Sequence, residues 1–399
     1  MIERKPIHTL SVLQLVLGTL VFLTALLLAG LFLSMANVVD DSARLPILSL
    51  AWLAGLGALV SLPPLGLAAR RLAGKPLPPQ PSNASPQTAL RLMLLWPMVI
   101  LAGYMAAATP AADAALAALG LLGLALPLAA AYAWLMRGLR ADSAQRAWGA
   151  FSFGYGPGLF IILLLESIFV LIGLIGGAFM LSLSPQWMER LMEFASSAAD
   201  PTTLDLPGLT RQAQDLLANP AVQAIGLAFV AFLMPLVEEL FKPLAVWGVL
   251  RRGLSARTGF QLGMLSGAVF GFIESGVAIS QFDTPAGWTA GVVLRAATAL
   301  LHLMLSALVG YGIGAAVEGG SGRLFFKALL ASVALHGLWN AAAIVVGFNE
   351  LSGGGQPPVW VSAVCFLLMA GTWLYLLKRV LVTAARLRAE SASPPEITV

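Results

Sequence analysis

The side chains best suited to chemistry in this sequence are glutamates and histidines that lie inside long apolar stretches. An ionised side chain at the centre of a bilayer costs about 2.5–3.5 kcal/mol even on a lenient scale. Several such groups left unpaired would cost more than most folds tolerate, so they must face each other or water. The residues concerned are Glu238, Glu239, Glu274, His302 and His336, with Lys242, Arg295 and Asn340 beside them in the same stretches.

Helical spacing predicts that these groups meet in one layer. With a rise of about 1.5 Å per residue, the three glutamates and two histidines lie about 16–22 Å from the cytoplasmic ends of their helices. Arg295 and His302 are seven residues apart and share a helix face. His336 and Asn340 are four residues apart and also share a face. The sequence therefore predicts a polar cluster near the middle of a membrane.

Two local patterns refine this cluster. Lys242 is within one helical turn of both Glu238 and Glu239, so its ammonium group can pair with either carboxylate. Small residues recur every four positions before Glu274, as a stripe of Gly263, Gly267, Gly271 and Ser275. Such a stripe permits close helix packing and places Glu274 on or beside the packed face.

A cluster of this kind can hydrolyse a peptide bond in either of two ways. A glutamate in a cavity of low dielectric can act as a general base on water, with a histidine stabilising the oxyanion or relaying the proton. Alternatively, two histidines and a glutamate form a ligand set for catalytic zinc. The candidate zinc ligands are Glu239, Glu274, His302 and His336. The residues alone leave both mechanisms open, and they leave open whether Glu238 or Glu239 is the base.

The sequence argues against three other types of intramembrane protease. No histidine begins an H-E-x-x-H motif, and Asp113 is the only aspartate in a predicted span, which excludes an aspartyl dyad. The one G-x-S-G, at 319–322, falls between two predicted spans, which argues against a serine dyad.

The composition requires that the cluster be held by membrane helices. The chain has 399 residues, of which 59% are hydrophobic and 11% are charged, and its mean hydropathy is +0.87. A soluble domain has about 25% charged residues. We predict an all-α transmembrane helix bundle with ten spans, at 11–35, 47–69, 89–108, 112–136, 150–183, 221–250, 259–281, 288–317, 325–347 and 357–377.

The loops predict the orientation and the location. Most of the 23 Lys and Arg residues fall in alternate loops, which places both chain ends in the cytoplasm. The short loops and the Ala- and Leu-rich spans are typical of a bacterial cytoplasmic (plasma) membrane protein. Because the positive charges form no basic patch with interleaved aromatic residues, nucleic acid is not an expected partner. Cys365, the only cysteine, excludes a disulfide scaffold.

The predicted organisation has four parts. An N-terminal five-helix region, 1–183, contains a Pro-rich cytoplasmic linker at 74–88. An extracytoplasmic loop follows at 184–220, in which Trp187, Met188, Leu191, Met192 and Phe194 predict a short amphipathic helix at the membrane surface. Residues 221–347 form a four-helix core that holds the polar cluster, and 348–399 contain the final helix and a cytoplasmic tail.

The motifs of this core resemble those of the PrsW family of intramembrane proteases. Glu238-Glu239-Leu240-Phe241-Lys242 is similar to the family's E-E-x-x-K, and Phe270-Gly271-Phe272-Ile273-Glu274 to its F-x-x-x-E. The stretch from Arg295 to His302 and the H-x-x-x-N of His336 to Asn340 follow in the family's order. The wider clan of CAAX-processing and bacteriocin-processing membrane proteases usually has E-E-x-x-x-R and F-x-x-x-H, so Lys242 and Glu274 favour the PrsW branch.

The resemblance implies roles for these residues. Glu239 or Glu238 would activate water with help from Glu274, His302 and His336, and Lys242, Arg295 and Asn340 would support them. Family members are often called metalloproteases, so zinc is an implied cofactor. The implied substrate is a membrane-anchored protein similar to an anti-sigma factor, cleaved within the lipid bilayer.

Two other classes of function fit the same polar groups. A proton- or cation-coupled transporter also carries Glu, His and Lys near the bilayer midplane. An inactive scaffold could bind membrane helices in the same groove. Transporters often have inverted repeats, and no repeat is evident here, which weighs against transport.

Overall fold

Helices are the only regular elements in the part of the chain that the structure describes. The structure is a computed structural model, and it describes residues 7–77, 85–109, 112–139, 143–199, 219–248, 253–319, 321–351 and 358–392, with single positions at 208, 211, 212, 214 and 215. The helices are α1 (Ile7–Met35), α2 (Asp41–Leu72), α3 (Pro86–Ala107), α4 (Asp113–Met136), α5 (Ala144–Phe153), α6 (Leu159–Ser182), α7 (Pro185–Ala199), α8 (Pro220–Ala228), α9 (Met234–Phe241), α10 (Leu244–Trp247), α11 (Ala256–Ile279), α12 (Pro285–Gly319), α13 (Arg323–Leu351) and α14 (Val359–Ala392). Two π-helical turns, Gly154–Gly158 and Phe229–Leu233, join α5 to α6 and α8 to α9.

These helices confirm the predicted membrane fold. Ten helical stretches of the described chain are long and apolar enough to cross a bilayer, and each overlaps one predicted span. The sixth, Val222–Trp247, contains both a π-turn and the E-E-x-x-K motif. The orientation with both chain ends in the cytoplasm stays a prediction.

Polar and glycine residues define several helix ends. The hydroxyl groups of Ser85, Ser143 and Ser255 accept hydrogen bonds from backbone N–H groups in the first turns of α3, α5 and α11. This is the usual way to satisfy the free donors of a helix N-terminus. Gly74 and Gly138 follow α2 and α4 with φ of 69° and 70°, a conformation that glycine adopts without strain. In the predicted linker 74–88, positions 78–84 lie outside the described residues.

The chain divides into two compact units. The first contains residues 1–160, 241–329 and 376–399, and the second contains 161–240 and 330–375. Helices α13 and α14 each contribute residues to both units. The predicted core 221–347 also contributes to both, whereas the predicted four-part division of the chain stays a prediction.

Close contact between α11 and α12 is the main feature of the first unit. A Cβ atom at Gly259, Gly263 or Gly267 would collide with a backbone oxygen of α12, and one at Gly271 would lie 2.8 Å from the Cα of Ala299. Only glycine permits this approach, so the predicted packing role of the stripe is confirmed. The contact brings the backbone of α11 directly against the helix that carries Arg295 and His302.

A second apolar cluster of the first unit includes residues near the start of α12. Trp288, which is 1% exposed, packs with Leu45 of α2, Leu124 of α4, Ile279 of α11 and Val292. The N-terminal helices therefore belong to the same core as two of the helices that carry the motifs.

The second unit contains the predicted amphipathic helix. Residues Pro185–Ala199 form α7, in which the Arg190 guanidinium lies 4.9 Å from the centre of the Trp187 ring. Met188 and Met192 are exposed. A helix with exposed apolar side chains on one face suits the membrane surface, and the prediction of a short helix in this segment is confirmed.

Candidate active site

The structure places the predicted site residues in two groups, one in each unit. The Glu239 group lies in the second unit and consists of Glu238, Glu239 and His336. The Glu274 group lies in the first unit and consists of Lys242, Glu274, Arg295 and His302. Glu239 and Lys242 are three residues apart in the sequence, so both groups begin on the same short stretch of chain.

The Glu239 group joins two carboxyl groups to one imidazole. The Nδ1 atom of His336 lies 3.0 Å from the Oε1 atom of Glu239, and its Nε2 atom lies 3.9 Å from the Oε2 atom of Glu238. Each ring nitrogen thus faces a different carboxyl group. Glu239 is 0% exposed, His336 is 1% exposed and Glu238 is also buried. Hydrogen bonds and charge interactions are strong in such a buried setting.

The π-turn Phe229–Leu233 explains how α13 approaches the motif helix. The Nδ2 atom of Asn340 donates a hydrogen bond of 3.2 Å to the backbone oxygen of Val230. A Cβ atom at Gly337 would collide with the backbone oxygen of Ala231, so only glycine fits there. A π-turn leaves backbone oxygens outside the regular pattern, and here two of them meet the H-x-x-x-N segment. This contact confirms that His336 and Asn340 share a face of α13.

The Glu274 group is a chain of contacts through the His302 ring. The Nζ atom of Lys242 lies 2.7 Å from Nδ1 of His302, and Nε2 of the same ring lies 2.7 Å from Oε2 of Glu274. On the other side of this carboxylate, Oε1 lies 3.5 Å from Nη1 of Arg295. If Lys242 donates to Nδ1, the proton of a neutral ring is on Nε2 and points to Glu274. The contacts therefore favour one tautomer of His302. They also confirm that Arg295 and His302 share a face.

The two groups differ in how exposed their side chains are. The side chains of Glu274 and Arg295 are 40% and 32% exposed, whereas that of His302 is 1% exposed. The carboxylate and guanidinium of the Glu274 group are therefore partly accessible. The carboxyl groups of the Glu239 group are enclosed.

Three supporting contacts were not predicted from the residue types. The Lys242 ammonium lies 4.3 Å from the centre of the Phe270 ring, which in turn packs edge-to-face on His302 with centroids 5.4 Å apart. The hydroxyl of Ser266 donates a hydrogen bond to the backbone oxygen of Lys242. The position of Phe270 in the F-x-x-x-E motif was a signal for a role, but its contact with Lys242 depends on the tertiary packing of the first unit. Nothing in the sequence marked the π-turn.

The buried donors of the Glu239 group could hold a metal ion. Within the described part of the second unit, the candidate donors are Glu238, Glu239 and His336. Two ligands of one zinc ion, each about 2.0–2.2 Å from it, lie about 3–4 Å apart. The 3.9 Å between His336 Nε2 and Glu238 Oε2 fits that span. Carboxyl oxygens and imidazole nitrogens are also the ligands that zinc accepts, so these residues fit a metal.

Glu274 has its own set of contacts in the first unit. Its two oxygen atoms contact His302 and Arg295. A carboxylate beside a histidine N–H can fix the orientation of the ring. This position suits a group that orients His302.

A ten-span helical fold with buried glutamate and histidine groups defines a class of multi-pass membrane protein with a polar site inside its helices. Residues 205–372 match the family model described as PrsW family intramembrane metalloprotease. The match confirms the resemblance that the motifs indicated, and with the membrane fold it indicates an intramembrane protease. No curated protein and no solved structure matches the chain.

Proposed function

We propose that this protein hydrolyses a peptide bond in a membrane-anchored protein, with water activated by Glu239. The observation that carries the proposal is the fully buried Glu239 carboxyl group, 3.0 Å from the imidazole of His336. A carboxylate can act as the general base that removes a proton from water, a step that such bases accelerate by about 10²–10⁴-fold. The imidazole of His336 can hold the carboxylate in position for that step.

In the proposed reaction, the Glu239 group acts on water and on the leaving group. Glu239 accepts a proton as the water oxygen attacks the carbonyl carbon of the substrate. His336 holds the Glu239 carboxylate in place, and the proton then passes to the departing amine as the C–N bond breaks. Glu238, on the other side of the ring, keeps the imidazole oriented.

The Glu274 group carries positive charge. Lys242 and Arg295 are cations, and His302 lies between Lys242 and Glu274. By resemblance to the family, whose motifs include these residues, we propose that this group also takes part in catalysis, where its cations could stabilise a negative substrate oxygen. Donors of this kind are worth about 10²–10³-fold in rate. The exposed side of Arg295 and Glu274 is where substrate backbone would enter.

A bound metal would add to this chemistry. Glu238, Glu239 and His336 would hold it, and a zinc ion there would lower the pKa of its bound water. Elemental analysis of purified protein tests this point without an activity assay. Near-equimolar zinc in the wild type, lost in His336→Ala, would support a metal, and its absence in both would favour the metal-free route.

The proposed substrate is a protein with one transmembrane helix, which must unwind to expose a peptide bond. By resemblance to the family, an anti-sigma-factor-like protein is the first candidate. The proposed location is the cytoplasmic membrane of a bacterium, with both ends of the chain in the cytoplasm.

The proposal is tested by comparing membrane proteomes of the native host that express wild type or Glu239→Gln at equal levels. Fragments cut within or beside a membrane helix are expected only with the wild type, and they would identify the substrate. The matched control is Arg91→Gln, which should give the wild-type fragments. Arg91 is exposed on α3 and is distant in the sequence from both groups. An identical fragment set in wild type and Glu239→Gln under several stress conditions would reject proteolysis, and ion flux would become the next assay.

A further inference from the structure

The first unit also contains a cavity whose lining includes none of the proposed site residues. Its volume is about 200 Å³, and it lies between α1, α2, α5 and α10. Its wall is mostly apolar, with Leu17, Val21, Phe153 and Leu244 among its lining residues. By the predicted orientation, all four elements contribute their cytoplasmic ends. The cavity is therefore at the depth where lipid headgroups meet acyl chains.

Part of the lining of this cavity is polar. Gln145 Nε2 donates hydrogen bonds of 3.0 Å to Ser11 Oγ and to Gln14 Oε1, and Gln14 Nε2 donates one of 2.8 Å to the backbone oxygen of Gln145. Arg146 follows Gln145 in the sequence and lines the cavity. An apolar chamber with a cation and amides in its lining matches a ligand with an apolar tail and an anionic head.

An unsatisfied hydroxyl group is independent evidence for a ligand. Ser152 lines the cavity and is 7% exposed, and its Oγ atom makes no hydrogen bond to any described residue. Buried hydroxyl groups are normally satisfied, because leaving one unpaired costs about 1–3 kcal/mol. A polar atom of a ligand near the headgroup end of a chain would satisfy it.

The size and surroundings of the cavity favour a lipid chain over water or a globular ligand. The volume is below the roughly 300–1,000 Å³ of typical small-molecule pockets but exceeds the about 150 Å³ of an apolar cavity that binds benzene. Water molecules would find few partners, since each needs about three hydrogen bonds. Leu13, which is 53% exposed, forms part of the wall, so the cavity borders the outer surface of α1. In a membrane, that surface meets lipid.

We propose that this cavity binds one acyl chain of an anionic phospholipid, with the phosphate at Arg146. Arg146 supplies charge complementarity, the amide network of Gln14 and Gln145 receives the glycerol region, and Ser152 bonds to an ester oxygen. The chain end would then lie against Leu244 and Ala245, directly after the E-E-x-x-K motif.

The test uses full-length protein in phosphatidylcholine nanodiscs that contain a phosphatidylglycerol with a photoactivatable diazirine in its acyl chain. After irradiation, mass spectrometry locates the labelled residues. Labelling of cavity residues is expected in the wild type. It should fall about fivefold in Arg146→Gln, which corresponds to the about 1 kcal/mol that one basic residue contributes near an anionic lipid. Arg91→Gln removes an exposed arginine elsewhere and should leave labelling unchanged.

A cavity-filling change separates binding inside the cavity from labelling at the surface. Gly248 lines the cavity, and a Cβ atom there would make only ordinary contacts of 3.6 Å. Gly248→Leu should abolish cavity labelling, whereas Gly55→Leu, which meets nothing within 4 Å, should not. Size-exclusion profiles check that each variant is folded. Unchanged labelling in Gly248→Leu would overturn the proposal, as would equal labelling by a phosphatidylcholine probe or no cavity labelling in the wild type.

Discussion

The two units each contain a glutamate–histidine contact, and the two contacts are made in different ways. In the second unit, Glu239 and Glu238 share the imidazole of His336, and all three side chains are buried. In the first unit, the buried His302 contacts both Glu274 and Lys242, and Glu274 also contacts the partly exposed Arg295. One group thus has two carboxyl groups for one imidazole, and the other has two cations and one imidazole for one carboxylate.

This difference indicates that the two groups suit different chemical tasks. A group rich in carboxyl groups attracts protons and cations, so it suits water activation or metal binding. A group rich in cations suits the negative charge that forms on a substrate oxygen. Pairs of titratable groups in contrasting environments commonly take opposite roles in this way. The predictions below test that division.

The largest expected effect is on the proposed base. Glu239→Gln keeps the size of the side chain but removes its basicity, so cleavage should fall about 10²–10⁴-fold. The rate is measured with a membrane-anchored substrate in proteoliposomes, once the proteome comparison has identified one. Glu274→Gln, the matched change in the other group, should cost less, because Glu274 orients His302 without taking the proton. A larger loss in Glu274→Gln than in Glu239→Gln would reverse the assignment of the two groups.

Next in size is the effect of the cations in the Glu274 group. Lys242→Met keeps the length of the chain and the contact with Phe270 but removes the charge, and cleavage should fall about 10²-fold. The loss should be in kcat, because the interaction strengthens only as the oxygen becomes negative. A change confined to KM would indicate that Lys242 binds substrate without stabilising charge.

A smaller effect, on stability, tests how the first unit holds its group. Gly267→Ala places a methyl group against the backbone oxygen of His302, so α11 and α12 must move apart. Overpacking of this kind typically costs about 1–3 kcal/mol. Thermal unfolding in detergent measures it, with Gly55→Ala as the control because that position has open space. Equal stability of the two variants would show that the helix pair yields easily and that the stripe is not needed.

The smallest effect is expected for the contact that Asn340 makes between two helical segments of the second unit. Asn340→Ala removes the hydrogen bond to the Val230 oxygen, worth about 1 kcal/mol. We expect a modest loss of activity with a normal substrate KM, because His336 then holds Glu239 less firmly. Asn340→Asp is the informative partner, since it keeps the size but puts a carboxyl oxygen beside a carbonyl oxygen. Full activity in both variants would show that Gly337 alone positions α13.

Much of this architecture could be predicted from residue types. The apolar stretches around Glu238, Glu274, His302 and His336 predicted separate membrane spans, because a bilayer excludes unsatisfied backbone and most charge. The spacing of Gly263, Gly267 and Gly271 predicted one close helix pair correctly. Both predictions depend on local geometry, because the rise and the period of a helix are properties of the backbone alone.

Other features depended on contacts between distant parts of the chain. The sequence allowed Lys242 to pair with Glu238 or Glu239, and the structure adds a contact with His302 that lies sixty positions away. It did not indicate that the N-terminal helices share a core with Trp288 and Val292. Neither result follows from periodicity, because many pairings of ten helices bury similar apolar area.

The sequence by itself determined that this chain is a multi-pass helical protein, which helices carry polar groups and that those groups must not face lipid. The high cost of bare charge and unpaired backbone in hydrocarbon leaves no other solution. Only the tertiary structure decided which nitrogen of His336 faces Glu239 and which faces Glu238, and that His302 lies between Lys242 and Glu274. These contacts require particular rotations of the helices, which are set by the π-turn at Phe229–Leu233 and the glycine contacts of α11.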